Sequence, residues 1–328
     1  MEISKVTTSI IVLTKNSVST IDKCLQSIFA QTKKPQEVLV IDGNSTDGTL
    51  EIVKKYPVKL SSEPGLGYGH ARNLGVKNAL SETIAFVDSD CILDKEYLSE
   101  LLTTLLSSEL TIGGVGGIVF PIKKTLVSES FNVRLFGISS SSESKVREVE
   151  SISGGTCLYR KELLLKIGGF NENICGAEDY EINQRIRKAG YKLFIVPSAK
   201  SLHLHPTTLK KLAIKWFSYG KFLLDMSSKT SFKKDVIISW VWSLTCIAAI
   251  IALTMNITIL KFLIFIMLFF LPWAIYYGKQ TISFWRNNFS VKYLLFPIIH
   301  QIMIISRTAG ILYSSILYPF KKKNMSSC

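Results

Sequence analysis

The sequence predicts an α/β domain, with a mostly parallel sheet covered by helices on both faces, followed by an α-helical membrane region. Three observations predict it. Short apolar runs alternate with helical patterns over residues 9–90, carboxylates stand directly after two of those runs, and apolar residues dominate from Asp235 onward.

Residues 9–13, 37–41 and 83–87 are the apolar runs, each nearly free of polar side chains. Such strands are buried on both faces, as in a parallel sheet layered by helices. Between the first two, residues 19–31 place Ile21, Leu25, Ile28 and Phe29 on one helical face. Residues 47–55 and 71–79 supply two more helical stretches before the third strand. Strands separated by helices of this length define βαβ units. Further on, residues 95–106 read as a helix and 113–120 as a strand after a glycine hinge. Residues 127–150, rich in Ser and charge, read as a mobile loop; 161–167 and 179–189 read as helices, and 192–196 as the last strand.

The second part of the chain changes character. Residues 207–226 place Leu209, Leu212, Trp216, Phe217 and Leu223 on one face of a helix with lysines around the rest. That pattern, just ahead of apolar spans, predicts an interfacial helix, against the plainer reading of a helix packed on the domain. Residues 236–253 carry no charge and can span a bilayer, and 262–277 form a second, shorter span ending in Trp273, Tyr276 and Tyr277. Residues 293–318 are a third candidate that contains His300, Gln301, Arg307 and Gly310. It reads as a full span or as a re-entrant hairpin bent at Pro297 and Gly310, which keeps the basic C-terminus inside. The expected organisation is a catalytic domain over 1–206, an interfacial helix and linker over 207–234, a membrane region of two or three helices over 235–320, and a basic tail over 321–328.

The 328 residues carry a net charge of +14. Much of the excess flanks the apolar runs: Lys210, Lys211, Lys215, Lys221, Lys229, Lys233, Lys234 and Lys321 to Lys323. Lysines in that position point to the cytoplasmic surface of a membrane, and no motif points to nucleic acid. The six cysteines are scattered with no C-x-x-C pair, which speaks against a zinc site or a disulfide framework. The N-terminal apolar run is too short for a signal peptide and reads as a strand.

Chemistry concentrates at strand ends. Asp42 closes the second apolar run and is followed by Gly43, Asn44, Ser45, Thr46 and Asp47. Ligands of open α/β sheets bind outside the carboxyl ends of strands, so Asp42 is placed to meet a nucleotide base while Ser45 and Asp47 cap the next helix. A capping turn without a ligand would carry the same residues. Asp88, Ser89 and Asp90 close the third run. Two carboxylates so spaced can share a hard divalent cation, Mg²⁺ or Mn²⁺, that also grips a diphosphate. Between them, a run from Gly65 to Gly75 contains Arg72, a candidate phosphate partner; the alternative is a flexible loop before a helix. Glu178 and Asp179 open a helix, where acids are also commonplace as dipole partners. His203 and His205 follow the last strand, two residues apart, and so point the same way if the strand continues.

Taken in order, these stretches over residues 7–225 resemble the family 2 inverting glycosyltransferases. Residues 9–16, with Thr14 and Asn16, resemble its first nucleotide-binding strand. Asp42, Ser45 and Asp47-Gly48-Thr49 resemble its uridine turn. Ala71-Arg72-Asn73 with residues 86–90 resembles its diphosphate and metal segment. Gly154-Gly155-Thr156, Gly168-Gly169-Phe170 and Glu178-Asp179 resemble its acceptor and base region. The resemblance implies a GT-A fold and a UDP- or GDP-sugar donor. It puts Thr14, Asn16, Asp42, Arg72, Asp88 and Glu178 at the nucleotide sugar, and makes Asp179 the catalytic base. Mn²⁺ or Mg²⁺ falls on Asp88 and Asp90, with His203 or His205 completing the site. Leu13 and Lys15 replace the family's usual proline and tyrosine, which touches donor identity. The Gln-x-x-Arg-Trp motif of processive synthases is absent after Asp179, which favours transfer of a single sugar. The expected acceptor is membrane-associated, a polyprenyl phosphate or lipid-linked glycan. A polysaccharide or glycolipid synthase is the alternative within the fold, and a non-catalytic nucleotide-binding membrane protein the alternative outside it.

Overall fold

The computed structural model describes residues 6–107, 111–136, 145–174, 176–226, 281–286 and 290–321, with isolated positions from 237 to 279. The strands are β1 (Thr8–Thr14), β2 (Glu37–Asp42), β3 (Lys59–Ser62), β4 (Thr83–Asp88), β5 (Cys91–Leu93), β6 (Ile112–Pro121), β7 (Arg147–Val149), β8 (Thr156–Arg160) and β9 (Lys192–His203). The helices are α1 (Ile21–Phe29), α2 (Thr49–Val53), α3 (Tyr68–Asn78), α4 (Tyr97–Leu105), α5 (Leu126–Phe136), α6 (Lys161–Lys166), α7 (Glu178–Lys188), α8 (Leu209–Met226) and α9 (Phe296–Lys321).

All strands join one sheet in the order β3-β2-β1-β4-β8-β6-β9-β5, with β7 beside β9. The first half is parallel, as expected; β8 runs antiparallel to both β4 and β6, so the sheet as a whole is mixed. Every residue of β1 is buried. Its side chains alternate between two cores, because successive residues of a strand face opposite ways. Ile10 and Val12 join Ile21, Leu25 and Ile28 of α1 on one face, and Ile11 and Leu13 join Ala71, Phe86 and Phe170 on the other. Gly75 lets α3 lie close on that second face, since a Cβ there would stand 2.6 Å from the Ile11 side chain.

Polar clamps hold the starts of these strands. The Thr8 and Thr83 hydroxyls pair at 2.8 Å. Glu37 accepts from Ser9 Oγ (2.6 Å), Lys59 Nζ (2.7 Å) and the Leu80 N–H (2.6 Å). Burial by itself would push the Glu37 carboxyl up, but Lys59, Ser9 and Leu80 outweigh it and hold it below its ordinary value.

Contacts divide the chain into two compact units. Met1–Ile122 with Glu143–Leu204 forms the first; Lys123–Ser142 with His205–Met325 forms the second. The segment expected to be a loop over 127–150 instead contains α5 and β7. In the second unit Phe131 of α5, Leu212 and Trp216 of α8, and Phe296 and Met303 of α9 share one core. On the apolar face of α8, Leu212, Trp216 and Leu223 are thus packed by protein, while Leu209 stays exposed.

Val291–Ile316, 26 residues with an 18-residue stretch of mean hydropathy 1.5, is long and apolar enough to cross a membrane. Within it α9 runs unbroken through Gly310, so the hairpin bend expected there is absent. Pro297 falls in the first turn, where its missing N–H leaves no bond unmade. Gly310 meets the backbone of α8, since a Cβ would stand 3.0 Å from Gly220 Cα. The expected spans over 236–253 and 262–277 lie almost wholly outside the described residues, as does the tail beyond Lys321.

Candidate active site

Parallel register aligns three strand ends: Thr14 of β1 lies beside Asp42 of β2, and Leu13 beside Asp88 of β4. Asp42 is buried at the first of these ends, its carboxylate accepting from Ser45 N (2.9 Å) and Ser45 Oγ (2.5 Å). Asn16, held at φ 50°, closes the turn: its Oδ1 accepts from Thr46 N, and its own N–H donates to Ser45 Oγ. Thr14 Oγ1 is buried there with no hydrogen-bond partner among the described residues. Asp47 caps α2 through Thr49 N (3.1 Å), as its position predicts, whereas Ser45 serves Asp42 and Asn16 instead. Beside this turn lies a cleft of about 250 Å³ whose lining includes Asp42, Asn44, Leu50, Leu60 and Ser62. Ser45 and Thr46 complete the lining, so two leucines face five polar residues able to hydrogen-bond a ligand.

The glycine run is ordered by a residue with no sequence motif of its own. Glu63, buried just past β3, accepts from the N–H groups of Gly65 (2.9 Å) and Leu66 (2.5 Å) and contacts His70 Nδ1 at 3.2 Å. Gly65 and Gly67 take φ of 90° and 108°, which L side chains rarely adopt. Tyr68 follows, 60% exposed as a whole. Desolvation, with the charges of Asp88 and Glu178, pushes its pKa up.

Asp88 and Asp90 stand 38% and 31% exposed at the end of β4. Gly155 makes room for Asp88: its carbonyl accepts from the Asp88 N–H at 2.9 Å, and a Cβ would stand 2.6 Å from Asp88 Cγ. Antiparallel pairing of β5 with β9 sets Cys91 opposite His203. His203 Nε2 is thereby 3.3 Å from Asp90 Oδ1. His205 lies beyond the end of β9, so the strand alternation that aligned the two histidines stops at His203. Its Nε2 is 2.9 Å from Asn132 Oδ1 and its ring packs on Phe131, both in the second unit. Ligand atoms of Asp90, Cys91 and His203 fall within 4.8 Å of one another. The buried Cys91 thiol is turned to the Gly155 carbonyl at 3.7 Å, and burial pushes its pKa well up. The accessible donors are thus carboxylate oxygen and imidazole nitrogen, a set that can hold a divalent transition cation such as Mn²⁺.

Arg72, expected to face phosphate, is instead buried. Its Nε donates to Glu178 Oε1 (3.0 Å), its Nη1 to the Gly154 carbonyl (2.9 Å), and its Nη2 lies 3.9 Å from Asp88 Oδ1. Phe86 and Phe170 pack on the guanidinium, with ring centroids 4.9 and 5.6 Å from Cζ. Burial disfavours the Arg72 charge, yet Glu178 and Asp88 outweigh it and hold the pKa above its ordinary value. Burial pushes the Glu178 carboxyl up, with Arg72 opposing. Asp179 opens α7 after Ala177, whose φ is 57°, and its Oδ2 accepts from the Gly154 N–H at 2.9 Å. Asp88, Asp179 and Arg72 thus converge on the two glycines ahead of β8.

Such a fold, with acids at the ends of parallel strands and a further acid opening a helix, defines a class of sugar-transferring enzyme. Residues 9–168 match glycosyl transferase family 2, and 135–207 match the N-terminal domain of galactosyltransferase. The chain carries a family 2 glycosyltransferase domain and is a glycosyltransferase. It is 27% identical over 233 residues, 65% of this chain and 71% of the other, to the dolichyl N-acetyl-alpha-D-glucosaminyl phosphate 3-beta-D-2,3-diacetamido-2,3-dideoxy-beta-D-glucuronosyltransferase of Methanococcus voltae. It is 26% identical to glycosyltransferase AglE of Haloferax volcanii, over 65% of this chain and 71% of that one. Among solved structures, the mannosyltransferase PcManGT from Pyrobaculum calidifontis, in complex with GDP-Man and Mn²⁺, has the same fold. Its TM-score is 0.62 at 18% identity, covering 93% of this chain and 87% of that one. GalNAc-T7 with UDP, GalNAc and Mn²⁺ reaches 0.51 at 19% identity, over 63% of this chain and 46% of that one.

Proposed function

We propose that this protein moves one sugar from a UDP- or GDP-sugar to a membrane-associated acceptor, a polyprenyl phosphate or lipid-linked glycan, inverting the anomeric centre. The observation that carries the reading is that Asp42 and Asp88 end the strands on either side of β1, with Asp90 two residues on and Asp179 joined to Asp88 through Gly154 and Gly155. In this reading Thr14, Asn16 and Asp42 receive the nucleoside. Asp88, Asp90 and His203 hold a divalent cation, which neutralises diphosphate charge when bound. Asp179 accepts the proton of the acceptor hydroxyl as that oxygen attacks the face opposite the leaving group. The Gly154 N–H keeps one carboxylate oxygen of Asp179 fixed during that transfer. One displacement inverts the anomeric carbon, and no residue is required as a nucleophile.

The membrane setting draws support from α9. His300, Gln301, Arg307 and Thr308 are buried, whereas Ile298, Ile305 and Ile316 are 52%, 42% and 66% exposed. The buried side of α9 mixes these polar residues with Phe296, Ile299 and Met303, while its exposed side keeps a row of isoleucines, as suits polar groups turned to protein and apolar ones to lipid. The dolichyl-phosphate-linked sugar named for the Methanococcus voltae relative suits a lipid-borne acceptor. The catalytic unit then lies at the cytoplasmic face, where the flanking lysines favour it. The test is to incubate membranes containing the protein with radiolabelled UDP- and GDP-sugars, extract lipids, and identify the product. Label in a lipid-linked sugar is the expected outcome. Label only in polymer would move the assignment to a polysaccharide synthase.

A further inference from the structure

We propose that Arg72 is a positioning residue, which locks the metal-side carboxylate and the base-side carboxylate into one frame and does not itself bind the diphosphate. The inference rests on the reading of Asp88 and Asp179 given above. A guanidinium that grips phosphate must direct two N–H groups at open cleft. In Arg72 all three nitrogens are directed at protein: Nε to Glu178, Nη1 to the Gly154 carbonyl, and Nη2 toward Asp88. Its faces are covered by Phe86 and Phe170, and the side chain is 4% exposed.

What it holds is more telling than what it lacks. Gly154 is gripped from both sides, its carbonyl by Arg72 and its N–H by Asp179 Oδ2. A Cβ on Gly154 would stand 2.8 Å from Arg72 Nη2 and 2.7 Å from Asp179 Cβ, so the backbone is wedged between them. Movement of the guanidinium therefore passes through one residue to the base. The Glu178 contact pins the first turn of α7, the turn that carries Asp179. The approach to Asp88 ties the same group to the end of β4. A lysine offers one point charge in place of a planar fork and cannot meet these acceptors together.

The experiment uses the full chain in detergent, with Arg72→Lys, Arg72→Gln and Arg72→Gln/Glu178→Gln. Affinity for UDP and GDP is measured with Mn²⁺ by calorimetry, alongside thermal midpoints and release of nucleoside diphosphate from the sugar nucleotide the wild type consumes. Both single variants should keep nucleotide affinity within about threefold, with KM little changed, and lose kcat about 10²-fold. The double variant should regain thermal stability, since the stranded Glu178 charge is gone, without regaining kcat. A tenfold loss of UDP or GDP affinity in Arg72→Lys at unchanged thermal midpoint would make Arg72 a ligand of the diphosphate and overturn the inference. Recovery of kcat in the double variant would overturn it too, by reducing Arg72 to a charge neutraliser. If wild-type protein bound neither nucleotide, the proposed function would fail first, which keeps the two failures distinct.

Discussion

His203 Nε2 stands 3.3 Å from Asp90 Oδ1, brought there by a three-residue strand, β5, that pairs antiparallel with the end of β9. The contact joins a β4 strand end to a residue far along the chain. In the proposed cation site it would supply a nitrogen ligand that the Asp88–Asp90 segment alone lacks.

Replacing His203 with Ala should therefore weaken Mn²⁺ binding about tenfold or more while the fold persists. Asp90→Ala should abolish both metal binding and sugar transfer. Titration of Mn²⁺ followed by electron paramagnetic resonance separates the two, with circular dichroism as the fold control. Chelator should silence the wild type and added Mn²⁺ restore it. Unchanged Mn²⁺ affinity in both variants would remove these residues from the metal site.

Asp179→Asn keeps the volume and the ability to accept from the Gly154 N–H but loses the basic oxygen. Turnover should fall on the order of 10²-fold or more, with donor KM nearly constant. Steady-state kinetics with varied donor decides it. A parallel fall in donor affinity would mark Asp179 as a binding group.

Gly155→Ala adds a single methyl group where Asp88 already sits, 2.6 Å from its Cγ. The carboxylate must swing aside, and displacement of a reacting group by about an ångström costs roughly 10²-fold in rate. The variant should thus approach Asp88→Ala in activity although no functional group has been removed. Near-normal turnover would show that Asp88 tolerates repositioning.

On α9, Ile305→Lys places a charge on the apolar stripe. If that stripe faces lipid, the substitution costs about 2.5–3.5 kcal/mol of insertion near a helix centre. The amount of protein in carbonate-washed membranes should drop accordingly. No change in that fraction would contradict lipid contact at this position.

Much of this was legible in the sequence, and the failures have physical causes. β1, β2 and β4 announce themselves because both of their faces are buried, and their terminal acids stand out against apolar runs. The edge strand β3 gives no signal, since Lys59, Leu60 and Ser62 are exposed and no apolar run marks it. α5 escapes because its buried residues mix Ser128, Ser130 and Asn132 with Phe131 and Val133, so no apolar period marks an inward face. Asp42, Asp88, Asp90 and Asp179 are readable from position. The partners of Arg72 are not, because Glu178 and Gly154 reach it only through the pairing of β8 with β4 and the placement of α7.

The clamps at the starts of β1, β2 and β4 bear on how faithfully the chain assembles. Strands buried on both faces are apolar at nearly every position, so sliding one along its neighbour by a residue exchanges one greasy surface for another. Burial is a weak proofreader of such an error. The Thr8–Thr83 pair and the Ser9–Glu37 bond are the features that tell correct alignment from the shifted one. They sit at the far end of the sheet from Asp42 and Asp88, yet they decide whether those two acids arrive level. A chain with those clamps removed would still collapse and bury its core, and would carry a misaddressed active site.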